Sequence, residues 1–168
     1  MINVILYQPE IAQNTGNIMR TCAAFGAKLH IIGPIPFSIN DEGLHRSGMD
    51  YISNVDYCMY DDYDDFCKKV SNKTIFYVTR YGKKSPDKFD FSDVSDDYYI
   101  MFGRESTGIP KEILGKNYDN CIRIPMKPFA RSLNLANSVA IVMYELIRQQ
   151  NYFDLATEDN LKDKHHIK

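Results

Sequence analysis

Several short segments of the chain are apolar at consecutive positions rather than at alternate ones. Clear examples are Ile75–Val78 and residues 99–102. A strand with one face in water alternates apolar and polar residues, whereas a strand that is buried on both faces does not. Such runs therefore predict a parallel sheet that is covered by helices on both sides.

Six runs rich in β-branched and aromatic residues alternate with stretches of helical periodicity. The predicted strands are residues 3–8, 29–33, 55–60, 75–80, 98–103 and 120–125, and the predicted helices are residues 16–25, 41–48, 62–71, 110–114 and 133–150. This order predicts an α/β fold, a three-layer sandwich with a mostly parallel six-stranded sheet. Ligands of such sheets bind beyond the carboxyl ends of the strands, so function is to be sought in the loops at that edge.

The size and charge of the chain favour one ordinary globular domain. Of the 168 residues, we expect residues 1–152 to form that domain and residues 153–168 to be a polar C-terminal tail. The 20 basic and 22 acidic residues give a net charge of −2, which argues mildly against a protein that only binds nucleic-acid backbone. A local basic site remains compatible with this charge.

The cysteines and the apolar runs indicate the compartment. Cys22, Cys58, Cys67 and Cys121 form no CxxC pair, and we interpret them as buried thiols in a reducing environment. The longest unbroken apolar run, residues 139–144, is far shorter than a membrane span or a secretory signal requires. We therefore expect a cytoplasmic protein that has no contact with a membrane.

Several familiar catalytic and metal-binding motifs are absent. The sequence has no GxxxxGK[ST], no GxGxxG after the first strand, no GxSxG and no HExxH. The acidic run at residues 61–65 begins a predicted helix, where negative charge interacts with the positive end of the helix dipole. His165 and His166 lie in the polar tail and are expected to be solvated. We expect no metal site.

The loop after the first predicted strand leads into a helix that carries polar residues on an otherwise apolar segment. Asn14 is a natural N-cap, and Asn17 and Arg20 lie three residues apart on one face. Because the rest of this helix should be buried, the amide and the guanidinium need partners. The segment alone leaves two interpretations open, a cap with a structural ion pair or a functional site.

The loop after the fifth predicted strand contains Gly103, Glu105 and Gly108. Gly103 permits close approach of a ligand to the backbone, and Gly108 permits a tight turn. Glu105 stands where a carboxylate can orient a cation or a hydroxyl. A plain turn rich in small residues accounts for the same pattern equally well.

The loop after the sixth predicted strand ends at the long last helix. Ser132 can cap this helix, whose first amides form a site for polar ligand groups. Asn134 and Asn137 lie one turn apart at its start, and capping by Ser132 does not account for them. The helix is apolar on more than one side, which suggests that it packs against a second subunit as well as the sheet.

Taken in chain order, the three loops resemble motifs of the SPOUT superfamily of S-adenosylmethionine-dependent RNA methyltransferases, in its 2′-O-methyltransferase branch. The motifs are Asn14-Thr-Gly-Asn17-x-x-Arg20, then Phe102-Gly103-x-Glu105-x-x-Gly108, then Ile124-Pro125-Met126 followed by Ser132-Leu133-Asn134. Each motif is weak alone, but three in order within residues 2–152 are specific. The small size is most similar to the bacterial TrmL (YibK-like) subgroup, which methylates the tRNA wobble position.

The resemblance implies a C-terminal trefoil knot within the α/β domain (the SPOUT fold), a homodimer, and S-adenosyl-L-methionine bound in the knot. The implied cofactor-binding residues are Val78, Thr79, Gly103, Glu105, Ile122, Ile124, Met126, Ser132 and Leu133. The implied catalytic residues, which would handle the RNA ribose, are Arg20, Asn14, Glu105 and Asn134.

The implied reaction is methyl transfer to the ribose 2′-hydroxyl of the wobble C or U in a tRNA anticodon stem-loop. That hydroxyl is a poor nucleophile and must lose its proton as it attacks. A guanidinium rarely deprotonates, so Arg20 is expected to position phosphate or stabilise the developing alkoxide, with a role as base left open. A basic patch for tRNA phosphates is expected from Arg80, Lys83, Lys84, Arg104, Lys127 and Arg131.

Two other functions remain open on the sequence. One is a related enzyme that acts on rRNA or on another tRNA position; such relatives often carry an RNA-binding domain before the first motif, which this sequence does not show. The other is a non-catalytic RNA-binding protein, against which the intact set of Arg20, Glu105 and Asn134 argues.

Overall fold

The structure is a computed structural model that describes residues 1–39 and 55–158. The strands are β1 (Ile2–Tyr7), β2 (Lys28–Ile32), β3 (Tyr57–Tyr60), β4 (Ile75–Val78), β5 (Tyr98–Phe102) and β6 (Cys121–Ile122). The helices are α1 (Ala12–Phe25), α2 (Tyr63–Lys69), α3 (Lys111–Leu114) and α4 (Leu135–Gln149). Short 3₁₀ turns at Pro86–Lys88 and Tyr118–Asn120 complete these elements.

The six strands form one sheet in the order β3-β2-β1-β5-β4-β6, and every pair is parallel. Alternate residues of β1 enter different cores: Val4 and Leu6 pack with α1 and α4, whereas Ile5 packs with α2 and α3. The predicted three-layer α/β architecture is therefore confirmed. The strand order reverses at β1, which lies between β2 and β5, so the carboxyl ends of β1 and β5 flank the switch point at which such sheets bind ligands.

The boundaries of two elements differ from those expected by more than two residues. Helix α1 begins at Ala12 rather than at residue 16, and β6 has two residues instead of the six expected. The stretch at residues 123–134 continues beyond β6 without helix or strand pairing. The predicted helix at residues 41–48 lies outside the described residues. Within residues 1–39 and 55–158, no helix is long and apolar enough to cross a bilayer.

The expectation that all four cysteines are buried is wrong. Cys22 and Cys121 are buried, Cys58 is half-buried, and Cys67 is exposed. Cys67 lies on the outer side of α2, a short helix that buries only Phe66. The interpretation of the acidic run is confirmed, since the carboxylate of Asp62 caps this helix.

The chain crosses itself closely between β4 and β6. The N–H of Thr79 donates to the carbonyl of Ile122 at 2.9 Å, and the carbonyl of Lys84 accepts from the N–H of Arg123 at 2.8 Å. A Cβ at Gly82 would lie 2.7 Å from the carbonyl carbon of Ile122. The segment at residues 79–84 therefore lies directly across β6, and only a glycine allows this approach.

One ionisable side chain, His30 on β2, is buried in the sheet and takes no part in the loops. Asn3 Oδ1 can only accept, so His30 Nε2 carries the hydrogen (3.2 Å) and Nδ1 accepts from the hydroxyl of Tyr60 (2.8 Å). His30 is 4% exposed. A second proton on this ring would disrupt the bond from Tyr60, so the fold holds the neutral form.

We predict that acid destabilises the protein through His30. Burial, with a smaller contribution from Lys28, lowers the pKa of His30 to about 4. The unfolded chain therefore binds a proton near its ordinary pKa of about 6.5 while the folded chain does not, and stability falls as the pH drops from about 6.5 to about 4. The expected loss from this residue is roughly 2–3 kcal/mol, measured by urea unfolding at several pH values.

His30→Gln is the control, because the carboxylates that also titrate in this range are the same in both proteins. Its free energy of unfolding should fall less between neutral and acidic pH than that of the wild type. Equal losses in the two proteins would contradict the assignment.

Candidate functional site

Two loops meet at the carboxyl edge of the sheet because their strands are neighbours. Leu6 of β1 pairs with Phe102 of β5, so the chain leaves both strands side by side. Glu10 follows β1, and Glu105 follows β5. Their backbones and side chains contact one another across more than 90 residues of sequence.

The carboxylate of Glu105 joins the second loop to the start of α1. It accepts hydrogen bonds from the N–H groups of Glu10 (2.8 Å) and Ile11 (3.3 Å) and from Nδ2 of Asn14 (2.9 Å). The first N–H groups of a helix have no partner within the helix. Glu105 accepts from one of these, the N–H of the N-cap residue Ile11, and places negative charge at this end of α1 from a distant part of the chain.

This carboxylate fixes the direction of a longer chain of hydrogen bonds. Because Glu105 accepts, Asn14 must turn its Nδ2 toward it, which leaves Oδ1 of Asn14 to accept from Nδ2 of Asn134 (2.9 Å). Oδ1 of Asn134 then accepts from the N–H groups of Ala136 (2.9 Å) and Asn137 (3.3 Å) at the start of α4. The loop after β5, α1 and α4 are thereby connected in one polar network, in which Asn14 is only 6% exposed.

Two expected caps are corrected by this geometry. Asn14 is not the N-cap of α1, since the N-cap is Ile11, which makes no side-chain cap bond. Ser132 is not the cap of α4, since Asn134 holds that position with its side chain. Glu105 reaches Ile11 from the loop after β5, and that contact is not visible in local sequence, whereas Asn134 caps amides two and three residues further along the chain.

A second carboxylate, that of Glu10, joins the same two loops from the α1 side. Glu10 accepts from the N–H of Ser106 (2.9 Å) and from its hydroxyl (2.7 Å). These two bonds hold the pKa of the Glu10 carboxyl below its usual value. No spacing along the chain relates Glu10 to Ser106, and neither was a candidate residue.

The glycines of the second loop serve the chain itself. Gly108 has φ +75°, as a tight turn requires, and a Cβ at Gly103 would overlap the backbone of Gly108 and Ile109. The prediction of a tight turn is confirmed. The close approach at Gly103 is made by the loop folding back, with Arg104 and Gly108 exchanging backbone hydrogen bonds of 3.2 and 3.0 Å.

The other candidate residues lie around this network. Arg20 is exposed on α1, about 9 Å beyond Asn14 along the helix axis. Val78 and Ile122 are register partners in β4 and β6, and Thr79 is bonded to Ile122. Ile124 packs against the same core, Met126 is half-buried, and Ser132 and Leu133 are exposed just before α4.

The basic residues near these loops differ from a group of cations elsewhere that form ion pairs. Five lysines and arginines in other parts of the molecule pair with carboxylates: Lys28, Lys69, Lys73, Lys88 and Arg148. Among the described residues, no carboxylate forms an ion pair with any of the six cations of the expected patch. Four of the six lie over aromatic rings: Arg80 over Tyr81, Lys83 over Tyr118, Lys84 over Phe89 and Arg104 over Tyr7.

The described part of the chain brings together no group of three His, Cys, Asp or Glu side chains that could hold a metal ion.

Comparison with known proteins adds the following. A model of the SpoU rRNA Methylase family matches residues 1–144. A protein of Listeria monocytogenes serotype 4b (strain F2365), provisionally named tRNA (cytidine(34)-2′-O)-methyltransferase, is 46% identical over 162 residues, which cover 96% of each chain. A solved RNA methyltransferase from Bacillus anthracis, also provisionally named, is 48% identical with a TM-score of 0.88 and covers 95% of this chain and 100% of its own. A structure concerned with the 2-OH methylation of C/U34 on tRNA is 38% identical with a TM-score of 0.83 and covers 90% of this chain and 97% of its own.

The network predicts different effects for two substitutions of Asn134. Asn134→Ala removes both the cap of α4 and the bond to Asn14, and should lower the free energy of unfolding by about 1–2 kcal/mol. Asn134→Asp keeps the cap, because a carboxylate accepts from the same N–H groups, but it cannot donate to Asn14. Its loss, measured by urea unfolding, should be less than half as large.

Asn137→Ala is the matched control, since Asn137 lies in the same first turn and its side chain caps nothing. It should change stability by less than about 0.5 kcal/mol. If Asn134→Asp were as destabilised as Asn134→Ala, capping would not be the main contribution of this side chain.

Proposed function

The chain belongs to the SpoU rRNA Methylase family and has the α/β fold of SPOUT methyltransferases, and on this premise we propose that it transfers a methyl group from S-adenosyl-L-methionine to the ribose 2′-hydroxyl of the wobble nucleotide, C or U, of a tRNA. The observation that carries the proposal is the network of Asn14, Glu105 and Asn134 at the switch point of the sheet. The choice of substrate is supported by relatives of nearly full length whose names refer to nucleotide 34 of tRNA.

The network leaves a defined set of polar groups for a ribose. Asn14 has one N–H and one lone pair that the network does not use, and Asn134 has one further N–H. Amides held in this way can bind sugar hydroxyls with little loss of side-chain entropy. Proximity of that kind supplies much of the rate of a two-substrate reaction.

Glu105 acts in this proposal by orienting Asn14. Its two oxygens already accept three hydrogen bonds from the start of α1. Such a carboxylate is poorly placed to take the proton of a ribose hydroxyl, because it would first have to give up the contacts that fix the loop. We therefore assign it the positioning of the ribose site.

Arg20 supplies the positive charge of the site. It is exposed on α1, where a guanidinium can reach a substrate phosphate or a hydroxyl that becomes an alkoxide. Charge stabilisation of this kind needs no deprotonation of the arginine. A role of Arg20 as the base remains an alternative within the same proposal.

The residues assigned to the cofactor fit its chemistry. Val78, Ile124 and Met126 are half-buried and apolar, which suits the faces of an adenine ring. The stretch at residues 123–134 is outside helices and strands, so much of its backbone can bond the edges of the base, the sugar and the amino acid. When bound there, S-adenosyl-L-methionine supplies an electrophilic methyl group. Gly103, Thr79, Ile122, Ser132 and Leu133 complete the proposed pocket.

The tRNA would bind across the cations that have no carboxylate partner among the described residues. Phosphates can pair with such side chains without first breaking an ion pair within the protein. Arg80, Lys83, Lys84 and Arg104 already rest on aromatic rings, which holds them in place. This local surface offsets the net charge of −2. A bacterial cytoplasm, where tRNA is processed, is the compartment that suits this activity.

The proposal includes a trefoil knot and a homodimer. For the knot, residues 79–84 lie across β6, and the backbone of Phe91, which follows residues 79–84 in the chain, bonds Gln149 at the end of α4 and Gln150 just after it. For the dimer, α4 carries exposed apolar side chains one turn apart, Ile141 and Tyr144, although its other side is buried on the sheet. An apolar face of this kind favours contact with a second copy.

The proposed activity is tested by incubating the protein with labelled S-adenosyl-L-methionine and bulk tRNA, followed by digestion to nucleosides. Label is expected in 2′-O-methylcytidine or 2′-O-methyluridine that maps to the wobble position. Arg20→Ala should lower kcat by about 100-fold, because it removes charge stabilisation of the reacting oxygen. Lys69→Ala, which removes an exposed cation that lies outside the three loops and pairs with Asp65, should leave the rate unchanged.

Ribosomal RNA offered in parallel separates this function from its nearest alternative. Label found only in rRNA, or at another tRNA position, would keep the family and overturn the substrate. Full activity of Arg20→Ala would overturn the assigned role of that residue.

We predict that Ile141→Asp converts a dimer into a monomer. The wild type should show twice the chain mass of 19.4 kDa in light scattering, and a buried, unpaired charge at the interface should abolish association. Val94→Asp is the matched control, since Val94 is 42% exposed and Ile141 is 44% exposed. A wild type that is monomeric at every concentration would contradict the prediction.

A further inference from the structure

The loops after β1 and β5 are joined by two carboxylates, one from each loop. Glu105 binds the backbone N–H groups of Glu10 and Ile11, while Glu10 binds the backbone N–H and the hydroxyl of Ser106. Each loop thus presents a carboxylate to the backbone of the other.

We propose that Glu10 is a positioning residue for methyl transfer: by holding Ser106, it orients the loop at residues 103–108 so that Glu105 keeps Asn14 directed toward the ribose. This inference rests on the proposed function and assigns Glu10 no contact with substrate.

The loop needs an external contact because its internal bonds do not set its orientation. Arg104 and Gly108 exchange backbone hydrogen bonds, and Gly103 and Gly108 allow the tight turn, so the shape of the loop is internally determined. Those bonds would persist if the loop tilted as a unit away from α1. The three bonds that Glu105 accepts from the α1 side end on its flexible side chain, whereas the bond that Glu10 accepts from the N–H of Ser106 holds the backbone of the loop and so opposes such a tilt directly.

The geometry of Glu10 suits this role. Its two oxygens bind different atoms of Ser106, with Oε2 on the N–H at 2.9 Å and Oε1 on the hydroxyl at 2.7 Å. Two bonds through separate oxygens fix rotation as well as distance, and a charged acceptor strengthens both. A single bond would fix the distance alone.

The position of Glu10 predicts that its loss affects catalysis more than folding. Glu10 is half-buried and Ser106 is exposed, so water can replace the bonds when they are removed. Surface bonds of this kind contribute little to global stability. A small displacement of the groups that align the reactants is nevertheless costly to the rate.

The experiment compares Glu10→Ala, Glu10→Gln and Ser106→Ala in steady-state methyl transfer to tRNA. Glu10→Ala should lower kcat by between about tenfold and about 100-fold, with the KM for tRNA nearly unchanged, because alignment rather than phosphate binding is lost. Glu10→Gln should restore most of the rate, since its amide oxygen can accept from the N–H of Ser106 and its amide nitrogen can donate to the hydroxyl. Ser106→Ala should have an intermediate effect.

The chain provides a control with the same chemistry elsewhere. Asp93 accepts from the N–H and the hydroxyl of Ser95 at 2.8 and 2.6 Å, in an exposed segment before β5. Asp93→Ala therefore removes two hydrogen bonds from the same kinds of donor outside the site, although both of them end on one oxygen and join neighbouring residues. Its kcat and KM should equal those of the wild type.

A second measurement is independent of activity. Amide hydrogen exchange at Ile11 reports whether Glu105 still holds the start of α1. In Glu10→Ala, the protection of the Ile11 amide, taken relative to the intrinsic exchange rate of the substituted sequence, should fall because the loop that carries Glu105 has tilted. In Asp93→Ala it should be unchanged.

Each outcome bears on the inference. A wild-type kcat in Glu10→Ala overturns the positioning role. A lower kcat that Glu10→Gln does not restore, together with a lower melting temperature, overturns it as well, because these two results indicate a structural role alone. If the wild type transfers no methyl group to tRNA, the proposed function fails, and exchange at Ile11 then decides the positioning separately. Unchanged protection of the Ile11 amide in Glu10→Ala would overturn the positioning role as well.

Discussion

The carboxylate of Glu105 accepts three hydrogen bonds from the start of α1, and the arrangement of the site depends on that fact. Because an ionised carboxylate can only accept, it dictates which end of the Asn14 amide faces it, and Asn14 in turn dictates the orientation of Asn134. Asn134 then has only its oxygen available for the first amides of α4. One acceptor thus orders groups from three segments that are far apart in sequence.

The same interactions that build the site also begin its helices. The starts of α1 and α4 would otherwise carry amides without partners, and both are capped by side chains of the network rather than by unrelated residues. Removing a member therefore loosens a helix end and disturbs the site together. The unused donors of the two amides are thereby already oriented for a ligand.

Much of the fold was accessible from patterns in the chain. Consecutive apolar residues in β4 and β5 report burial on both faces, and this is a local property that survives into the folded state. The boundaries of α1 and β6 could not be predicted in the same way. The amides just before α1 bond Glu105, some 90 residues away, and the carboxyl end of β6 bonds residues 79–84. Neither partner is close in sequence.

The sequence by itself determined the layers of the fold, the edge of the sheet where a ligand is expected, and the three motifs that contain Asn14, Glu105 and Asn134. These follow from burial patterns and motif order, which are properties of the chain itself. Only the tertiary structure decided what these residues do to one another. Parallel neighbours in the sheet bring the loops after β1 and β5 together, and it is this adjacency that pairs Glu105 with α1 and Glu10 with Ser106. Hydrogen bonds depend on distance and direction in space, and residue spacing along the chain specifies neither for partners on different strands.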